Sequence, residues 1–256
     1  VNNALAPNVV STEIILPAAT NVDVVSGAVK VPQGKKKDIT IVGNKDNVVK
    51  FKKAASSSEG ALNYQDNANL TFKGITVDAD EIDGICARGG VVIFDDCNFN
   101  GELKKTIADK FIFRNCTFTE SVSQVGYGCK EVVFENCKFD TSDGYGIKIY
   151  SEGSTPVNLT VKNCEFKNTA NAAKSAIFLD HIIDGITYTV TVEGCSFEGF
   201  TETPTENYNK WAARMVVSDS FVKTADGQYV FAYQTGVEGG NYHKILTAAQ
   251  LVVTVK

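Results

Sequence analysis

VIFDDCNF (Val92 to Phe99), FIFRNCTF (Phe111 to Phe118) and VVFENCKF (Val132 to Phe139) are one pattern written three times. In each, two apolar residues stand two apart, two turn residues follow, and Cys-x-Phe closes the unit. Period-two alternation is the mark of a half-buried strand, so the unit reads strand, corner, strand. Working outward, LTVKNCEF from Leu159 and VTVEGCSF from Val190 continue the series, LTFKGITV from Leu70 precedes it, and ITIVGN from Ile39 is a weaker leading copy. The corner position holds Gly43, Gly74, Asp96, Asn115, Asn136, Asn163 and Gly194. These are the residue types that tolerate left-handed backbone or bond their own main chain.

The second apolar residue of each copy falls at Ile41, Phe72, Phe94, Phe113, Phe134, Val161 and Val192, about twenty residues apart at the centre and about thirty towards the ends. Twenty residues make one turn of a three-stranded coil. The longer steps carry loops such as SEGSTPVN after Tyr150 and AASSSEG after Lys53. A third strand per coil is read from DGICARG (from Asp83), KTIADK (Lys105), VGYGCK (Val125), DGYGIKIY (Asp143) and SAIFLDH (Ser175). The predicted fold is all-β: a right-handed parallel β-helix over residues 39–200, with irregular capping segments at 1–38 and 201–256. An antiparallel sandwich would want tight two-residue hairpins, and the corners recur too regularly at one register for that.

Cys97, Cys116, Cys137, Cys164 and Cys195 share one repeat position and stack into an inward column, beside a second column of Phe99, Phe118, Phe139, Phe166 and Phe197. A zinc site would show paired ligands at short spacing such as C-x-x-C, and none occurs. Stacked strands hold equivalent Cβ atoms about 4.8 Å apart, wider than the roughly 3.8 Å of a disulfide. The cysteines are therefore expected as free thiols that act as small core hydrophobes. Cys86 and Cys129 belong to the other strand and bring the total to seven. Unpaired thiols at this density suit a reducing or anaerobic setting, or assembly inside a cell.

Composition is that of a chain that buries a core, with 43% hydrophobic residues and a single Met. The net charge of −5 argues against a nucleic-acid partner. Lys30 to Lys53 hold eight Lys against two Asp, read either as a solvated face guarding the first coils or as a site for an anionic glycan or surface. No apolar run is long enough for a membrane span. VNNALAPNVV lacks the basic start, apolar stretch and cleavage site of a signal peptide, so localisation is not read from this end.

The Asn-Cys-x-Phe signature, clear over residues 39–200, resembles the pectin-lyase-like superfamily of right-handed β-helices, in particular repeats of gut bacteria and their phages. The resemblance implies either a lyase or hydrolase of acidic polysaccharides, working from the outer face of one sheet, or a non-catalytic adhesin, capsid or tail component. It places the protein as secreted, on a cell surface or in a virion. Asp95-Asp96 looks like the paired aspartates of the polygalacturonases, but it falls on the same corner as Arg114-Asn115, Glu135-Asn136 and Lys162-Asn163 and reads as a turn. Gly146-Ile147-Lys148 lacks that family's Arg, and the two GYG stretches lack its His.

The expectation is thus a structural or attachment protein with no metal site and no cofactor, against the alternative of a polysaccharide lyase or hydrolase. Outward alternation puts Lys148 and Tyr150 on the surface, with Lys130 one coil before and Asp180 and His181 one coil after. If a glycan binds, this strip is the expected place, since Tyr stacks on sugar and Lys meets carboxylate; otherwise it is an ordinary solvated face. At the end of the chain, TPTENYNKWAARM from Thr203 reads as a short helix or crossover. VVSDSF, QYVFAY and KILTAAQLVVTVK read as strands with a turn at Asp226-Gly227. They form a cap or, because LVVTV is apolar, a contact for a homo-oligomer.

Overall fold

The computed structural model of the chain describes residues 11–19, 21–25, 37–52, 62–64, 68–79, 85–104, 106–126, 128–142, 144–150, 155–170, 172–181, 185–204, 215–235 and 250–256. Strands stack in parallel into three sheets, and no helix occurs among the described residues. The first sheet runs Ser11–Ile15, Lys37–Val42, Ala68–Lys73, Ile85–Asp95, Thr106–Arg114, Glu131–Glu135, Val157–Lys162, Tyr188–Glu193 and Leu251–Val255, with Leu62–Tyr64 beside Ile85–Asp95. The second runs Val22–Val25, Val48–Lys52, Thr76–Asp78, Asn98–Asn100, Thr117–Phe118, Lys138–Thr141, Glu165–Asn168 and Ser196–Glu198. The third runs Val122–Val125, Ile147–Tyr150, Ile177–His181, Tyr229–Thr235 and, antiparallel at its edge, Met215–Lys223. Nine rungs at the usual strand spacing give an axis of about 38 Å.

The register follows the repeat. Ile41, Phe72, Phe94, Phe113, Phe134, Val161 and Val192 pair in succession, and the series extends to Ile14 at one end and Val255 at the other. Each corner residue is left-handed: φ is 55° at Asp96, 53° at Asn115, 54° at Asn136 and 51° at Asn163, with Gly74 and Gly194 at 67° and 64°. The turn lets the ladder continue through the corner, since Asp96 N, Asn115 N and Asn136 N donate to Arg114 O, Glu135 O and Lys162 O at 2.9–3.0 Å. Gly43 is the exception. Its φ is not left-handed, and glycine stands there because a Cβ would lie 2.7 Å from Asn47 Oδ1 and 2.8 Å from Ile75 Cγ2. The buried Asn47 side chain caps this corner, accepting from Asn44 N at 2.8 Å and donating to Pro17 O at 2.6 Å.

Two aromatic columns fill the interior. Phe72, Phe94, Phe113 and Phe134 stack at centroid separations of 4.8, 5.6 and 4.7 Å, and Phe99, Phe118, Phe139, Phe166 and Phe197 at 4.7, 4.7, 4.5 and 5.4 Å. Edge-to-face contacts such as Phe99 on Phe113 at 5.7 Å lock one column to the other. The column thiols are free, and Cys116 Sγ and Cys137 Sγ donate to carbonyls of the preceding coil, Phe94 O at 3.5 Å and Phe113 O at 3.4 Å. Burial, reinforced by the thiols above and below, pushes the Cys116 thiol well up, and burial pushes Cys129 up to about 11.

Three expectations change. DGICARG and KTIADK are not separate third-side strands: Ile85–Asp95 and Thr106–Arg114 are continuous strands of the first sheet, kinked by a register shift between Ala108 and Lys110. Only a few residues separate the two segments in each, too few for a loop. VGYGCK supplies a strand only at its start, since Val122–Val125 is the paired stretch and Gly126 turns away with φ 94°. Past residue 200, Tyr229–Thr235 and Leu251–Val255 take further rungs on the third and first sheets, and the turn at Asp226-Gly227 joins the antiparallel pair. Residues 205–214, most of TPTENYNKWAARM, lie outside the described residues, as does much of KILTAAQ.

Candidate functional site

Six pairs of outward charges on the first two sheets meet rung to rung. Lys110 meets Glu131 at 2.6 Å, Arg114 meets Glu135 at 3.3 Å and Lys162 meets Glu193 at 3.4 Å on the first sheet. Lys50 meets Asp78 at 2.8 Å, Lys138 meets Glu165 at 3.0 Å and Lys167 meets Glu198 at 3.5 Å on the second. These are directly opposed positions, worth about 0.2–1 kcal/mol each. Asp96 is likewise spent on structure, held 2.9 Å from Lys45 Nζ, and Asp95 Oδ1 accepts from Asn115 Nδ2 at 3.1 Å.

The outer face of the third sheet is built differently. Ile147 and Ile149 point inward and are fully buried, so period two turns Lys148 and Tyr150 outward. In the next rung Ile177 and Leu179 point inward and Phe178 outward, opposite Lys148, yet Phe178 is buried. Its cover is Tyr145, whose ring stacks on it at 5.0 Å. Two glycines set Tyr145 there: Gly144 takes φ 82°, and Gly146 passes so close to Phe166 that a Cβ would lie 2.6 Å from its ring. Over the Tyr145 ring stand Lys174 Nζ at 4.5 Å and Lys148 Nζ at 5.3 Å, both within cation–π range.

Glu102, from a turn two coils earlier, completes the cluster. Lys148 Nζ and Lys104 Nζ each lie 3.4 Å from its carboxylate, and Ser121 Oγ donates to Oε1 at 3.4 Å. Burial works against its charge, but Lys148, Ser123 and Lys104 outweigh burial and hold the carboxyl below its ordinary value. Glu102 is thus ionised at neutral pH, which suits electrostatic positioning rather than proton donation. Two ammonium groups, Lys148 and Lys104, thus meet at the Glu102 carboxylate, and Lys148 shares the Tyr145 ring with Lys174.

Of the expected strip, Lys148 is at the centre. Tyr150 is half-buried on the same face, Asp180 is half-buried at a register shift, and the His181 backbone pairs with Tyr150. Lys130 is elsewhere: it is exposed where the third side passes to the first, and its carbonyl accepts from Asn158 N at 3.0 Å. Glu102, Lys104, Tyr145 and Lys174 were not read from the sequence. The GYG stretch was the available signal for Tyr145, but Glu102 is 46 residues from Lys148 and meets it only through the winding of the coils. Among the described residues no three His, Cys, Asp or Glu side chains gather as metal ligands, and no helix is long and apolar enough to cross a membrane.

Residues 60–236 match a family model described as a right-handed β-helix region, which spans more than half of the chain. The chain belongs to the right-handed β-helix family. The match takes in every described rung of the third sheet and so places the Glu102–Lys148 cluster inside the right-handed β-helix. No curated protein and no solved structure matches this right-handed β-helix chain.

Proposed function

We propose that this right-handed β-helix protein is a non-catalytic structural or attachment protein of a bacterial surface or phage particle, and that it holds an acidic glycan against the outer face of the third sheet. The observation that carries the reading is the grouping of Lys104 and Lys148 at the carboxylate of Glu102 with Lys148 and Lys174 over the ring of Tyr145. Lys148 and Lys174, steadied over Tyr145, supply ammonium donors for a sugar carboxylate or sulfate, and half-buried Tyr150 offers a ring edge at the rim. The ionised Glu102 is matched to orienting Lys148 and Lys104 rather than to protonating a leaving oxygen.

The test is a glycan array followed by incubation with polygalacturonate, alginate and chondroitin sulfate, with and without calcium. Retention of an acidic glycan is expected, weakening as salt rises and lost on Lys148→Ala or Lys174→Ala, with no ultraviolet absorbance from unsaturated product. Appearance of that absorbance replaces the attachment reading with a polysaccharide lyase. Retention unchanged in both variants moves the glycan off this face.

A further inference from the structure

On the first sheet, period two sends every second residue away from the core, so the outward side chains stand in columns that run from rung to rung. The column next to the corners reads Lys73, Asp95, Arg114, Glu135, Lys162 and Glu193 in consecutive rungs, alternating in sign throughout. Beside it the middle column holds Ile93, Ile112 and Val133, with Thr71 before them and Thr160 after. The three apolar side chains are half-buried on this outer face. On their far side Lys110 and Glu131 stand opposite one another, 2.6 Å apart. Ile112 and Val133 are thus flanked on one side by the Lys110–Glu131 pair and on the other by Arg114–Glu135 at 3.3 Å.

Turned end for end, a column of six alternating charges presents the opposite sign at every rung. A half-turn about an axis that lies along the strands, midway between Ile112 and Val133, makes that reversal in a second copy. It sets Arg114 on the partner's Glu135, Asp95 on the partner's Lys162 and Lys73 on the partner's Glu193. The same half-turn sets Lys110 on the partner's Glu131 and Ile112 on the partner's Val133. Two other placements fail on charge. A half-turn about the solenoid direction sets Lys110 on Arg114 and Glu131 on Glu135, and an axis through the Ile112 rung sets Asp95 on Glu135, like on like in both.

We propose that the outer face of the first sheet binds a second copy of this chain, the two solenoids antiparallel about that two-fold axis. In such a contact residue i meets j and j meets i, so every pairing occurs twice. The Lys110–Glu131 pair of one copy and that of the other close a square of four alternating charges, and Arg114–Glu135 does the same on the opposite side of the apolar centre. The strands of the two copies run the same way, which is the aligned arrangement in which sheets pack face to face. Six rungs of five residues outline about 29 by 16 Å, roughly 900 Å² for both copies together. That is the size of a weak, reversible interface, so association belongs at micromolar concentrations and weakens as salt rises. Glu102 and Lys148 lie on the third-sheet side, outside the contact.

Sedimentation velocity of the 256-residue chain, from about 1 to about 200 μM at low salt, is expected to show the mass rising from one chain to two and no further. Arg114→Glu and Glu135→Arg, each with folding checked by its thermal midpoint, are each expected to weaken association at least roughly tenfold, since like charges then meet twice. Mixed in equal amounts, the two variants are expected to associate with each other, because opposite charges meet again at both places. A loss that came only from folding is not repaired by mixing. Ile112→Asp, at the apolar centre, is expected to weaken association roughly tenfold as well. A mass of one chain at every concentration overturns the proposal, as does a mass that grows past two. Association unchanged in all three variants overturns it by moving the contact to another surface. Tighter association of Arg114→Glu, or two variants that stay apart when mixed, overturns the antiparallel pairing and the proposal with it.

Discussion

Asn136 shows how much one residue type can settle. Its φ of 54° lies where a side chain with a Cβ pays about 1–2 kcal/mol, and asparagine and glycine are the residues that bear it. Asn136→Ala is expected to lower unfolding free energy by about that amount and Asn136→Gly to change it little, compared by denaturant midpoints. At Gly146 the demand is for space. A Cβ there meets the Phe166 ring at 2.6 Å, so Gly146→Ala is expected to cost about 1–3 kcal/mol and to weaken any glycan retention by moving Tyr145, with thermal melts separating the two effects. The corner residues were legible because turn chemistry is local. Gly146 was seen in the sequence without its reason, because Phe166 reaches it from the next coil.

At the scale of elements, the third-sheet face is tied together across coils by Glu102. Its ordinary value is near 4.5, and in the folded protein Lys148, Ser123 and Lys104 override burial to hold it lower. A carboxyl depressed on folding contributes stability that is full above its ordinary value and is lost as pH falls through the folded-state value. Melting temperature against pH should therefore fall more steeply below pH about 4.5 in the native chain than in Glu102→Gln, with the two slopes alike above pH about 6. Lys148→Ala raises the folded-state value, so its acid loss begins at higher pH. The strip of Lys148 and Tyr150 was legible from period-two alternation within one strand. Glu102 and Lys174 were not, since turns between strands carry no periodic signal.

Across the whole molecule, the core is a stack of equivalent coils whose column thiols differ in exposure. Cys97, Cys116, Cys137 and Cys164 are at most 1% exposed, whereas Cys195 is half-buried. The Cys164 thiol together with burial raises Cys195, so its labelling at neutral pH is slow, and access decides the order along the column. Iodoacetamide should label Cys195 first, and the four interior thiols only at the rate of unfolding. Timed labelling with peptide mapping checks this, and early labelling of Cys116 or Cys137 would mean that the coils open locally.

The sequence by itself determined the coil, its corners, its register and the inward Cys and Phe columns. Each of these rests on alternation and turn chemistry that act over a few residues and then recur. Only the tertiary structure decided that Asp95-Asp96 is braced by Lys45 and Asn115, that Lys130 stands off the strip, and that Lys148 meets Glu102 while sharing the Tyr145 ring with Lys174. Those facts depend on which residues a full turn of the solenoid brings face to face. That distance is set by loop lengths between strands, to which hydrophobic periodicity is blind.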